Sequence, residues 1–483
     1  MRGMDGLHMG KPSIFHMCLM SLYVQCNRIL FVHMRGGFMK AGRAYIVILS
    51  ILCMLCGCGN QVKETENSPV SESVTQPTLN ENGREEIYLS TIFLNVTMQE
   101  IVSDYNRQSD RYEIVPLEFD RESTAEDQRT RIQLELTGGG GPDILADTAL
   151  RSGDMRPYAQ AGVLLDVTDF LAEQGGFVKN VVEANEVEGR IYGIPYSFSL
   201  QTMVTSPAMA TERESWTSEY CMRAAQDAGV TAFVGAPYGW TSEQSGLYVL
   251  NVLGVGISGI QLYVDEEQGI SSFEQPEFIA LLEFAKKYSD PEPRASRKGK
   301  YASGEIFCVT TEIGNFDSFR YCDELFDGEP VYMGYPSPQG ARNMIRADSL
   351  YINAASPHVE GALDFIEYLL EEEQQRKTVL GVGNFPVKQE LLKSMWTEVK
   401  EETSGGMAYE IGDIRFDARP MTDEEEQVFW EMLESPLYDQ WQNDIWDIVE
   451  EEAQPFFCGD KPAGEVAKAI DNRVQLYLDE RKK

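Results

Sequence analysis

From Ile87 the chain runs "IYLSTIF", where apolar and polar positions tend to alternate, and this predicts a strand over Ile87–Phe93. Apolar residues recur at helical spacing from Val96 to Tyr105, and Tyr112–Phe119 reads as a second strand. Strand, helix, strand is a βαβ unit, the building block of a parallel sheet covered by helices. A helix is expected over Arg129–Leu136. After it "TGGGGPDIL" predicts a glycine turn leading into a short strand, and "MRPYAQAGVLLDVTDFL" predicts helix, turn and helix. In "SPHVEGALDFIEYLLEEEQ", Ser356 is placed as N-cap, Pro357 at the first helical position and Glu360 in the first turn. Ala362, Phe365, Ile366, Leu369 and Leu370 then share one face, which is expected to pack on a sheet.

Length and charge refine this α/β picture. At 483 residues there is room for two or three domains with cores of their own. The 41 Lys and Arg face 77 Asp and Glu, for a formal charge of −36; residues 1–57 hold six basic residues and one acid, so the remainder carries about −41. Nucleic-acid binding depends on Lys and Arg neutralising phosphates, so nucleic acid is not an expected partner.

The basic residues Lys40 and Arg43 precede an uncharged, mostly apolar run from Ala44 to Cys58. A basic flank, a short apolar core and small residues are the layout of an export signal, and the run is shorter than the roughly 20 residues a spanning helix needs. Within it, Leu55-Cys56-Gly57-Cys58 resembles a bacterial lipobox, which makes Cys58 the expected lipidated residue. An uncleaved anchor, or a metal site on Cys53 and Cys56, is the other reading; the second lacks a nearby second ligand pair. A signal beginning at Met39 has normal proportions, so the true start is expected there, or at Met34. Residues 1–57 are thus a signal region. Residues 58–85, rich in Ser, Thr, Asn, Glu and Pro, read as the lipidated cysteine and a disordered tether.

Catalysis finds little support. Of four histidines, His8, His16 and His33 precede Cys58, leaving only His358 in the mature chain. A Ser-His-Asp or Cys-His system would need His358 as its base, and multi-histidine metal sites are ruled out. The four glycines lack the Gly-Lys-Ser/Thr of a phosphate loop; Pro142 and Asp143 follow instead, so the turn is read as one that sets Asp143 at a strand edge. The acidic runs Glu371–Glu373, Asp423–Glu426 and Glu450–Glu452 sit in helical patterns and read as solvated faces. No Asp-x-Asp-x-Asp-Gly calcium loop appears. The chain is expected not to be an enzyme and to need no cofactor or metal. Cys221, Cys308, Cys322 and Cys458 are taken as structural.

The segments "GGGGPDIL", "YAQAGVLLDVTDFL" and "NEVEGRIYGIPYSFSLQTMV", followed by "VYMGYPSPQG", "LYINAASPHVEGALDFIEYLL" and "NFPV", resemble the family 1 extracellular solute-binding proteins, the capture subunits of ABC importers. The C-terminal "IWDIVEEEAQPFFCGDKPAGEVAKAIDNRVQLYLDE" is similar to the closing helices of Gram-positive lipoprotein members, so the resemblance covers nearly all of Ile87–Glu480. It implies a type II periplasmic-binding-protein-like fold of two α/β lobes, with the ligand cleft between them and a hinge crossed more than once. Crossings are expected near Pro195–Gln201, Asp327–Tyr335 and Gly405–Phe416. Lobe one would hold 86–197 and 332–405, and lobe two 198–331 and 406–483. Residues 205–244 carry few of the family's cues.

Sugar sites combine aromatic faces with polar side chains that bond hydroxyls. By their order in the family, the segments bearing Phe93, Tyr196, Phe198, Tyr238, Trp240, Phe316 and Tyr335 would border the cleft. Asp143, Gln201 and Asn315 are the expected hydrogen-bonding partners. The resemblance implies a monomeric, lipid-anchored receptor on the extracytoplasmic face, closing on a solute such as an oligosaccharide and delivering it to ABC permease subunits. The alternative is a surface lipoprotein of the same fold acting as a sensor or adhesin.

Overall fold

The computed structural model describes residues 79–91, 94–117, 123–150, 155–235, 240–255, 260–265, 268–291, 299–401, 408–411, 414–434, 436–438 and 443–481. They fall within one compact unit, Thr75–Lys483. The expected start at Met39 or Met34, the lipobox with Cys58 and most of the tether lie outside the described residues, as do Phe93, Tyr238 and Trp441.

One mixed sheet organises the unit. Its strands are β1 (Glu85–Ser90), β2 (Tyr112–Pro116), β3 (Ile144–Ala146), β4 (Gly193–Thr205), β5 (Ala232–Val234), β6 (Ile306–Ile313), β7 (Val331–Tyr332), β8 (Met344–Ile352) and β9 (Leu437–Tyr438). The order across the sheet is β2-β1-β3-β8-β4-β6-β5, with β7 paired to β4 and β9 to β8. β1 runs parallel to β2 and β3, while β4 runs antiparallel to both β8 and β6. The βαβ unit expected at the start is present, its helix spanning Val96–Gln108 with Asn95 capping Met98 N.

The chain packs earlier than its composition suggests. Asn80 Oδ1 accepts from Asn82 N and Arg84 N, and Arg84 pairs with Glu113 of β2 and donates to Asn106 O at 2.7 Å. Polar residues there are held by a turn and an ion pair, which need no apolar surface.

Two large apolar cores share the sheet, with a smaller cluster around Ile132, Leu136, Leu145 and Tyr351 beside them. The first gathers residues of β1–β3 with the helix Val96–Gln108 and the helix Val359–Leu369, whose Ala362, Phe365, Ile366 and Leu369 are buried on one face as the periodicity implies. Ser356 does not cap this helix. It lies two residues before the N-cap position, His358, and its hydroxyl accepts from His358 N while donating to Asp143. Pro357 therefore sits in the preceding turn. The second core gathers the helices Ser218–Ala228, Pro276–Lys287, Asn443–Cys458 and Ala463–Arg481. Trp216 is fully buried there, stacked on Phe307, so residues from Trp216 to Val234, within the stretch poor in family cues, pack into this core. Two stretches expected in lobe two, around Phe316–Phe326 and Ile414–Leu433, contribute to the first core instead.

Phe385 is the aromatic junction of the first core. It is fully buried, lies 4.8 Å from Phe429 and 5.6 Å from Phe316 between ring centroids, and pairs through its backbone with Phe198. Phe385→Ala is expected to cost about 3–5 kcal/mol of unfolding free energy in urea titrations. A loss below about 1 kcal/mol would show that the junction is not a packed core.

Candidate functional site

Side chains alternate across a strand, so the register between β4, β8 and β6 decides which residues share a face. Asp348 pairs with Ser197 but Ser349 with Pro195, which leaves Tyr196 unopposed in a bulge. Beyond it, Ser197, Ser199 and Gln201 of β4 lie opposite Asp348, Arg346 and Met344 of β8; Gln201 and Met203 also lie opposite Glu312 and Thr310 of β6. At one end this face runs into Met203, Cys308 and Met344 of the second core, and at the other into Ile194 and Leu350 of the first. The result is a polar seam between two apolar floors.

Hydrogen bonds hold the seam together. Ser197 Oγ donates to Asp348 Oδ2 at 2.5 Å, and Asn384 Nδ2 donates to the same oxygen at 2.6 Å. Ser199 Oγ donates to Glu312 Oε1 at 2.6 Å. Both serines are fully buried, so these bonds remove a penalty of about 1–3 kcal/mol for each hydroxyl left unpaired. Glu312 and Arg346, by contrast, are exposed, and the seam meets solvent there. Asn384 can come so close because residue 314 is glycine: a Cβ there would sit 2.5 Å from Gly383 O and 2.9 Å from Asn384 Oδ1.

Aromatic groups flank the seam. Tyr196 is half-buried, and among the described residues its hydroxyl has no hydrogen-bond partner. Desolvation first, and then the carboxylates of Asp348 and Asp147, raise its phenol well above the ordinary value of 10.0, with the Arg346 guanidinium pulling the other way. The Tyr248 hydroxyl is hydrogen-bonded to that of Thr310, and Trp240 stands edge-on to the Tyr248 ring with centroids 5.3 Å apart. Trp240 is itself half-exposed.

Of the residues proposed from sequence, Tyr196 and Gln201 lie along the seam on β4, and Trp240 stands against Tyr248, whose hydroxyl bonds Thr310 of β6. The other described ones are engaged elsewhere. Asp143 is buried, one oxygen accepting from Tyr88 N at 2.7 Å and the other from Ser356 Oγ at 2.5 Å, so its carboxylate ties β1 and β3 to the turn before Val359. That agrees with a glycine turn setting it at a strand edge, and it leaves neither oxygen to a ligand. Phe198 is fully buried against Phe385, on the opposite sheet face from Ser197. Phe316 packs edge-on to Trp396 at 4.9 Å, inside the first core. Asn315 caps the helix Phe316–Leu325 by accepting from Ser318 N. Tyr335 is buried in the second core, its backbone paired with Arg342.

Ser197, Ser199, Glu312, Arg346, Asp348 and Asn384 were missed. For Arg346 and Asp348 the signal was the alternation in "MIRADSLYI", where two charged residues sit at alternate positions; Glu312 is the single charge in "IFCVTTEI", and Ser197, Ser199 and Asn384 carried none. Chemically the seam offers hydroxyl, amide and guanidinium donors, carboxylate acceptors and an aromatic border. The groups on it include no histidine or thiol for nucleophilic chemistry. Among the described residues no group of three His, Cys, Asp or Glu is placed to hold a metal. Cys221, Cys308 and Cys322 are buried free thiols and Cys458 is exposed, with Cys308 donating to Phe233 O.

Two apolar cores on a shared sheet, with a polar aromatic-bordered seam between them, define a two-lobed α/β binding protein. Residues 100–403 match the family described as bacterial extracellular solute-binding protein, and the chain belongs to that family. No curated protein matches it in sequence. In fold it is similar to the sugar-binding protein MalE from Xanthomonas citri, at 14% identity and TM-score 0.53, covering 82% of this chain and 98% of that one. It is also similar to the ABC substrate-binding protein Lmo0181 from Listeria monocytogenes in complex with cycloalternan, at 17% identity and TM-score 0.50, covering 82% of this chain and 99% of that one. Both have the two-lobed periplasmic-binding-protein-like fold.

These placements separate structural from site roles. Asp143→Ala leaves two donors without their acceptor and is expected to lower unfolding free energy by about 1–3 kcal/mol. Trp240→Ala, at a half-exposed edge contact, is expected to cost about 1 kcal/mol or less. Thermal and urea unfolding of the two variants should therefore separate; equal losses would contradict the assignment.

Proposed function

We propose that this chain is a lipid-anchored receptor that captures a carbohydrate in the seam and delivers it to the permease of an ABC importer. The observation that carries the reading is the seam itself, where paired carboxylates, amide and guanidinium donors line β4, and the Tyr248–Trp240 pair is bonded to Thr310, two residues from Glu312. Sugar hydroxyls need both donors and acceptors, and their CH faces need aromatic surface. Membership of the extracellular family supports a place outside the cytoplasm. A structural neighbour's description as sugar-binding points the same way. The lobes follow the two cores, and ligand contacts from both favour a closed form for the permease to recognise. Cys58 is the anchor, the following residues are the tether, and the receptor acts as a monomer without cofactor or catalysis.

Thermal unfolding of the purified protein against mono- and oligosaccharides, polyols and peptides tests the ligand class. A true ligand at 100 times its dissociation constant adds about 2.7 kcal/mol of apparent stability. Silence from every sugar with a response to peptides would sink the carbohydrate reading. Cys58→Ser should move the protein from the membrane fraction to the soluble one; retention in membranes would refute the anchor.

A further inference from the structure

The seam has a definite sign of charge. Asp348 and Glu312 stand on its face, and Asp147 acts on the Tyr196 phenol together with Asp348. Among the described groups that act on the Tyr196 phenol, the opposing cation is Arg346. The bonds holding the carboxylates consume only half of them: Asp348 uses Oδ2 for both Ser197 and Asn384, and Glu312 uses Oε1 for Ser199. Among the described residues Asp348 Oδ1 and Glu312 Oε2 have no hydrogen-bond partner. Two carboxylate oxygens are thereby left as acceptors to whatever enters.

We infer that Asp348 and Glu312 make the seam exclude acidic glycans, so that the ligand is an uncharged or amine-bearing oligosaccharide. A hydroxyl or ammonium group supplies the protons these oxygens lack. A uronate, sulfate or phosphate would instead meet acceptors with nothing to donate, against a like charge that Arg346 only partly offsets. The surrounding body, at about −41, repels polyanions over a longer range and adds to the discrimination at low salt. The inference rests on the carbohydrate reading and adds the charge class of the sugar.

The test is binding of the purified, fluorescently labelled full chain to a glycan array. It pairs neutral oligosaccharides with uronate or sulfated counterparts and with de-N-acetylated, amine-bearing ones, at 20 mM and 500 mM sodium chloride. Neutral or amino glycans are expected to bind at least about tenfold more tightly than their acidic counterparts at low salt, with the gap narrowing at high salt. In the D348N/E312Q double variant the low-salt gap should shrink several-fold, with folding checked by its thermal midpoint. An acidic glycan as the tightest partner overturns the inference and leaves the carbohydrate reading standing. So does a gap in the unaltered protein that does not respond to salt, because discrimination would then come from shape. No binding to any glycan overturns both together.

Discussion

The structure depends on one strand serving two cores. β4 is thirteen residues long, and its backbone groups are bonded to β8 and then β7 on one side and to β6 and then Phe385 on the other. Breaking that ladder in the interior would strand buried amide groups, so the backbone runs through without a break. The side chains are less constrained. Near Ile194 they must fill the first core and near Met203 the second, but between them one face lies over neither. Polar residues are tolerated there, and serine is suited because a small hydroxyl can reach a neighbouring carboxylate across the ladder. The bulge at Tyr196 adds the last element by turning a large ring out of the regular alternation.

What was legible in the sequence were features with a local cause. The face of the helix Val359–Leu369 follows from a 3.6-residue period, and the opening βαβ unit from its run of strand, helix and strand patterns. The glycine turn before Asp143 follows from left-handed positions at Gly139 and Gly141. What was not legible were consequences of pairing between distant segments. Whether Phe198 or Ser197 faces the seam depends on register with residues some 150 positions away, and one bulge changes the answer. Phe316 and Tyr335 fill cores for the same reason: an aromatic residue beside a loop carries no local sign of the side it will face. Ser356 shows the error at smaller scale. A Ser-Pro pair is a good helix start locally, but a buried acceptor at Asp143 draws the hydroxyl into a turn.

The same ladder bears on how such a receptor would close. On the β6 side, β4 pairs regularly as far as Leu200 with Ile313; beyond Gly314 its neighbour becomes Phe385. On the β8 side the register slips between Asp348 and Ser349. The two interruptions fall within a few residues of each other along β4, so a bend there disturbs few regular bonds. They also coincide with Ser197, Asp348 and Asn384, whose mutual bonds span the discontinuity. A ligand donating to Asp348 therefore acts on the group that bridges these interruptions. Under the proposed function, recognition and closure then draw on the same few atoms. A solute need supply only a modest difference in contact energy between open and closed forms to shift their populations.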